Sequence, residues 1–270
     1  MGSHIHPTAI IDPDCRLGDN VDIGPYVIIE GNTMLGDGTR VDAFAQIKNY
    51  TSLGKNNHIY SYACIGEGPQ DIKYQGEETW LKIGDNNKIR EYSTLNRGTP
   101  GGTGVTTIGS NCFLMAYCHV AHDCVLEDHV IMANGATLAG HVHLGRNAVI
   151  GGLCAVHQFV RIGEFAFIGG KSGVAQDVPP YILAAGERAR TYGPNLIGMR
   201  RAGFHRKEIA AIKKAFHIIW ANGAKRSEAL EKIRQECSGF QAIDKFVQFI
   251  ESTSRGIISK ERSEENNAEG

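Results

Sequence analysis

From Ile5 onward an aliphatic residue returns at every sixth position. The first run goes from Ile5, Ile11, Leu17 and Ile23 to Ile65, and a short one follows at Ile83, Ile89 and Leu95. A third, in a new phase, runs from Ile108, Leu114 and Val120 to Val174. The next residue is often glycine, as at Gly18, Gly24, Gly36 and Gly54, and the fifth of each hexad is small or β-branched, as at Ala9, Val21, Thr39 and Ala45. Helices repeat at about 3.6 residues and strands at about two, so neither explains a period of six. Hexapeptide repetition specifies a parallel β-helix. Each short strand buries one aliphatic side chain, a glycine-eased corner turns the chain, and three hexads close a triangular coil. Coils then stack ~4.8 Å apart through backbone hydrogen bonds. The 33 glycines in 270 residues, well above a usual share of ~7%, fit a chain that turns this often.

Other features narrow the function classes. A formal net charge of −1 gives no basic excess for nucleic acid. No apolar run approaches the ~18–20 residues of a membrane span. Seven cysteines without a CxxC pair point to a reducing cytoplasm rather than a disulfide framework. Cys112, Cys118 and Cys124 are spaced by six, but each takes the small fifth position of its hexad, as does Cys154. Successive hexads lie on different faces of a coil, so these thiols read as small buried hydrophobes rather than a metal ladder.

The hexads define a mainly β chain: a left-handed parallel β-helix over residues 5–190, then an α-helical domain over 191–258. The start, Met1-Gly2-Ser3-His4, reads as an expression scar with no charged-then-apolar leader after it. The polar residues 259–270 read as a disordered tail. Two segments interrupt the repeat, a polar one at 67–82 and a Gly/Thr-rich one at 98–107, and loops ejected from a solenoid are common sites of function. Ile209, Ile212, Phe216 and Ile219 share one face of a helix expected to stop at Gly223, with further helices near Ser227–Glu236 and Gln241–Ser252. These helices would cap the open end of the solenoid. Arg200, Arg201, Arg206, Lys207, Lys213, Lys214, Lys225 and Arg226, against Glu208 alone, would suit an acidic partner.

Residues 18 apart stack on adjacent coils, which puts His122, Gly140 and Gln158 at one corner. His141 and His157 flank that line, His119 lies just before His122, and Gly104 of the second loop falls one step down. His58, His129 and His143 read as isolated surface residues. Three imidazoles could hold zinc, as in a γ-class carbonic anhydrase. Alternatively one histidine is a general base and the others bind substrate. A purely structural solenoid is a third possibility, but it has no need of clustered histidines and polar loops. A filled solenoid offers no internal cavity, so a substrate would lie between protomers.

The residues resemble those of the UDP-N-acetylglucosamine O-acyltransferase family, which opens lipid A and hence lipopolysaccharide biosynthesis. The resemblance rests on Ile65-Gly66-Glu67 with Gln70-Asp71-Ile72-Lys73-Tyr74, and on His119-Val120-Ala121-His122-Asp123-Cys124. It continues through Leu138-Ala139-Gly140-His141-Val142, Ala155-Val156-His157-Gln158-Phe159 and Gly173-Val174-Ala175-Gln176-Asp177-Val178-Pro179-Pro180-Tyr181. A related N-acyltransferase carries an added N-terminal uridine-binding domain, whereas hexads begin directly here. The resemblance implies transfer of a (3R)-hydroxyacyl chain from acyl carrier protein to the 3-hydroxyl of UDP-GlcNAc by a homotrimer.

It also implies residue roles. His122 matches the general base, Asp123 the residue that orients it, and Gly140 the backbone donor to the oxyanion. His119, His141, His157 and Gln158 match substrate-positioning residues, and Gln70, Asp71 and Lys73 match contacts presented from the first loop. Asn195 and Arg201 match the nucleotide end, although Ala202 stands where the family often has a second arginine. Gly170, expected one coil beyond the active corner, matches the position that sets acyl-chain length. No metal or redox cofactor is implied, and the basic helices gain an acidic partner in acyl carrier protein.

Overall fold

The computed structural model describes residues 2–221 and 225–260. Two-residue strands visit three sheets in rotation, so every third strand pairs with its predecessor in parallel. Ile5 faces Ile23, Ile11 faces Ile29 and Leu17 faces Leu35, which is the 18-residue coil read from the hexads. The sheets hold eleven, nine and eight strands. Together they form the left-handed β-helix that the hexads specify, followed by C-terminal helices. The recurrent aliphatics fill its interior: Ile23, Ile47, Ile59, Ile89 and Leu114 are all fully buried. A one-residue slip would turn each of them outward, and this is what pins the register.

The thiols behave as small hydrophobes. Cys112, Cys118, Cys124 and Cys154 are buried, and their sulfurs reach the carbonyls of Glu127, Ala133, Ala139 and Gly169 at 3.0–3.3 Å. Burial pushes the Cys112 thiol up to about 11 and those of Cys118 and Cys124 to about 12.

The corners differ from expectation. Apart from Gly66, the glycines after the aliphatics do not supply the left-handed turn. A Cβ at Gly36 would stand 2.5 Å from the carbonyl carbon of Gly54 on the next coil, so these positions are small because coils approach there. The turn itself falls mostly on non-glycine residues with φ near +60°, among them Asn20, Tyr26, Asn32 and Asp123. On one corner this stacks Tyr26, Phe44, Tyr62, Tyr92 and Tyr117 with ring centroids 5.0–5.1 Å apart.

The inserted loops are tighter than the sequence indicated. The first runs from 68 to 79, between strands Cys64–Glu67 and Trp80–Ile83, and the second from 98 to 104, between Thr94–Asn96 and Val105–Ile108. The ends of the described residues also join the fold. His4 pairs with Asp22, while Ser259 and Lys260 pair with Thr191. Residues 261–270, and Gly223 as a helix stop, lie outside the described residues.

After Pro179 and Pro180, Ile182–Ala185 extends the eleven-stranded sheet and Arg190–Pro194 returns antiparallel to it. This hairpin and the short α1 (Leu196–Arg201) have no hexad or helical period, and the sequence pattern did not show them. Helices α2 (Arg206–Ile219), α3 (Arg226–Cys237) and α4 (Gln241–Glu251) follow. They bury Ile209, Ile212, Phe216, Leu230, Ile233, Phe246 and Ile250. Arg161 and Glu164 near the end of the solenoid bond Ser252 and Lys245.

Candidate active site

His122 and Asp123 are sequence neighbours whose side chains meet, which an extended strand forbids. The corner resolves this. Asp123 has φ +58°, a conformation that aspartate tolerates better than most residues, and its carboxylate turns back so that Oδ2 lies 2.8 Å from His122 Nδ1. The Asp123 side chain has no exposed surface, and that of His122 retains 18%.

The second loop closes over this carboxylate. Thr99 Oγ1 lies 2.7 Å from Oδ2, and the Thr99 N–H reaches the same oxygen at 3.1 Å. The Thr103 N–H and Oγ1 lie 2.8 and 2.9 Å from Oδ1. Burial by itself would raise the Asp123 pKa, but the bonds from Thr99, His122 and Thr103 outweigh it and hold the carboxyl below its ordinary value. An ionised carboxylate only accepts, so His122 Nδ1 carries the proton and Nε2 is left as the basic lone pair.

Gly140 sits on the next coil under the imidazole. A Cβ there would meet His122 Cε1 at 2.5 Å and Nε2 at 2.7 Å, so the missing side chain makes room for the His122 ring. Among the described residues the Gly140 N–H has no acceptor. His141 stands edge-on to His122 with centroids 5.1 Å apart and stacks on Phe159 at 4.4 Å. Burial lowers the His141 pKa, with His122 acting the same way and Asp123 opposing. His119, whose Nδ1 lies 2.7 Å from Thr94 Oγ1, is also lowered by burial.

His122, Asp123 and His141 bring ligand atoms within 4.8 Å of one another. A carboxylate has about four lone-pair sites, and here His122, Thr99 and Thr103 occupy them. A metal at this point would have to break bonds that the fold already makes, so the donor set fits an ion poorly.

The remaining candidates divide. Backbone stacking joins His122 to His141 and Gly140 to Phe159, which follows the predicted corner. His157 and Gln158 are exposed on the coil beyond, and Arg255 reaches His157 Nδ1 at 3.3 Å. Gly104 closes its loop on the Thr99 carbonyl at 3.0 Å. Gly170 is a correction. It stacks with Gly152 and Asn134 through Lys171 and Leu153, on a different corner from His122, because its offset from Gln158 is two hexads and not a whole coil.

In the first loop Gln70 and Lys73 are exposed, and the Asp71 carboxylate accepts from the Lys73 N–H at 3.0 Å. Asn195 caps α1 through Gly198 and donates to the Phe165 carbonyl, so its amide serves the fold, while Arg201 ends α1 exposed. His58 and His143 are not isolated: they meet Asp42 at 2.8 Å and Glu127 at 3.0 Å. Sequence reasoning missed Thr94, Thr99, Thr103 and Arg255. For the two loop threonines, the Thr/Gly richness of the insertion was the available signal.

Comparison with known proteins agrees with this architecture. Residues 177–258 match the family described as UDP-N-acetylglucosamine O-acyltransferase, domain 2, and residues 106–140 match the bacterial transferase hexapeptide family. An acyl-[acyl-carrier-protein]–UDP-N-acetylglucosamine O-acyltransferase of Halorhodospira halophila is 48% identical, covering 95% of this chain and 99% of its own. The protein of that name from Aliarcobacter butzleri is 52% identical, covering 94% and 98%. Among solved structures, LpxA from Acinetobacter baumannii superposes with a TM-score of 0.92 at 41% identity, covering 94% of this chain and 99% of its own. With such identity sustained over nearly the whole of both chains, this protein belongs to the UDP-N-acetylglucosamine O-acyltransferase family.

Proposed function

We propose that this chain moves a (3R)-hydroxyacyl group from acyl carrier protein to the 3-hydroxyl of UDP-N-acetylglucosamine, the first step of lipid A biosynthesis. The observation that carries the reading is the His122–Asp123 pair, with Nε2 left beside a Gly140 N–H that has no acceptor among the described residues. A sugar hydroxyl is a weak nucleophile. His122 takes its proton as the oxygen attacks the thioester carbonyl, and Asp123 stabilises the imidazolium. The new C–O bond leaves an oxyanion that the Gly140 N–H receives. As the C–S bond breaks, the proton on His122 passes to the departing thiolate. His119 and His141, lowered by burial, stay neutral near pH 7 and serve as hydrogen-bonding groups, with His157 and Gln158 positioning substrate beyond them.

The site needs a neighbour. The His122 corner and the Gly170 corner point away from each other in one chain, and Ile72, between Asp71 and Lys73, is fully exposed. A homotrimer accounts for both features: the first loop of one protomer brings Gln70, Asp71 and Lys73 across to the next, and the exposed Arg201 lies toward the nucleotide end, with Asn195 acting there through the α1 terminus that it caps. Light scattering is expected to give about three times the 29.4 kDa chain mass, and a monomer in an active sample would overturn this. Arg200, Arg201, Arg206, Lys207 and Lys213 form the basic surface for acyl carrier protein, whereas Lys214 is paired with Glu236. Seven unpaired thiols fit a reducing cytoplasm, and none of the described helices is long and apolar enough to cross a membrane.

The test is an acyl-transfer assay with UDP-GlcNAc and hydroxyacyl carrier proteins, run beside metal analysis of the same sample. Transfer to the sugar hydroxyl without bound metal is expected. Stoichiometric zinc held by these histidines would overturn the reading in favour of a zinc enzyme.

A further inference from the structure

The seven-residue insertion 98–104 is folded around one side chain that lies 24 residues beyond Thr99 and 20 beyond Thr103. Thr99 Oγ1 contacts Asp123 Oδ2 at 2.7 Å, on the same oxygen that accepts from His122. Thr103 places both its N–H and its hydroxyl on Oδ1. That hydroxyl has one proton and two acceptors within reach, Asp123 Oδ1 at 2.9 Å and the Val105 carbonyl at 2.8 Å. The carboxylate is the stronger competitor, because charge-assisted bonds are roughly twice as strong as neutral ones. Gly102 lies between the two threonines, and a Cβ there would stand 2.5 Å from the carboxylate carbon. The Thr99 carbonyl in turn accepts from the N–H groups of Gly102 and Gly104 at 3.1 and 3.0 Å, knotting the loop on itself.

A carboxylate with a single partner rotates about its terminal torsion, which is broad and soft. Asp123 has donors fixed on both oxygens, so its plane is set and Oδ2 stays on His122 Nδ1. We infer that Thr99 and Thr103 are positioning residues for the acyl transfer, acting through Asp123 to hold the His122 ring with Nε2 toward substrate. This inference rests on the reading of His122 as base. A loop that served only to stabilise the solenoid would need no donors converging on this one buried carboxylate, and its loss would appear in stability rather than turnover.

The full-length variants Thr99→Val, Thr103→Val, Thr99→Ser and Thr103→Ser separate these roles in steady-state acyl transfer. Valine keeps the shape and the backbone N–H but removes the hydroxyl. A hydrogen bond to a charged group is worth enough that each valine variant should lose about 10–100-fold in kcat. The KM for UDP-GlcNAc should stay within about twofold, and the serine variants should recover to within about threefold of the parent. Thr99 is buried; if its valine variant melts early, the exposed Thr103 decides the outcome. His122→Ala in the same assay keeps the two ideas apart: if it stays active, the base reading falls. If His122→Ala is dead while Thr103→Val keeps the parent kcat, or if the serine variants fail as badly as the valines, the positioning role alone is overturned.

Discussion

His122→Ala is expected to reduce turnover by about 10²–10⁴, the usual consequence of losing a general base. Fold and UDP-GlcNAc binding should change little. The imidazole lies over Gly140 at a partly exposed corner rather than in the aliphatic interior, so its removal leaves no sealed cavity. Asp123 loses one donor but keeps those from Thr99 and Thr103, so its buried charge is not stranded. Single-turnover kinetics, a melting curve and a nucleotide titration on one preparation separate chemistry from folding and binding. A variant with parental turnover would remove His122 from the mechanism, whatever its neighbours do.

Gly170→Met is expected to move donor preference from a long chain, roughly C14, to a shorter one. Gly170 borders an open apolar groove with Tyr117, Gly135, Gly152, Leu153 and Lys171. A Cβ at 170 would lie 3.3 Å from the Gly152 carbonyl oxygen, a tight contact that a few tenths of an ångström relieve, so a side chain can enter the groove from here. Each methylene left in water forfeits about 0.8 kcal/mol. A block four carbons early should therefore discriminate against the long donor by more than about 100-fold, with the rate on the short donor nearly kept. Lys171 lines the same groove. Rates on C10, C12 and C14 donors check the assignment: an identical ranking by parent and variant places the end of the groove elsewhere.

The first of these sites was partly legible in the sequence. The 18-residue arithmetic brings His122 and Gly140 to one corner, because a stacked coil converts sequence offset directly into distance. From the sequence, contact between His122 and Asp123 requires a bend that no local pattern specifies. The sequence gives Gly140 no second role, and the structure adds one, room for the His122 ring. Gly170 failed the same arithmetic because its offset from the corner is not a whole coil.

The solenoid is what the sequence by itself determined. A strict period of six leaves one register in which every aliphatic is buried, so pairing, coil length, thiol burial and the order of the sheets follow from local pattern alone. Tertiary structure decided the rest. Thr99 and Thr103 meet Asp123 across separations of 24 and 20 residues, through an aperiodic loop whose path depends on the carboxylate it encloses. The return hairpin at 182–194 and the cap on α1 are likewise set by contacts with the last coil, as when Asn195 donates to Phe165. Periodic burial repeats the same energetic choice at each step and so can be read residue by residue. A hydrogen-bonded knot around one buried charge is settled only when all its members are in place.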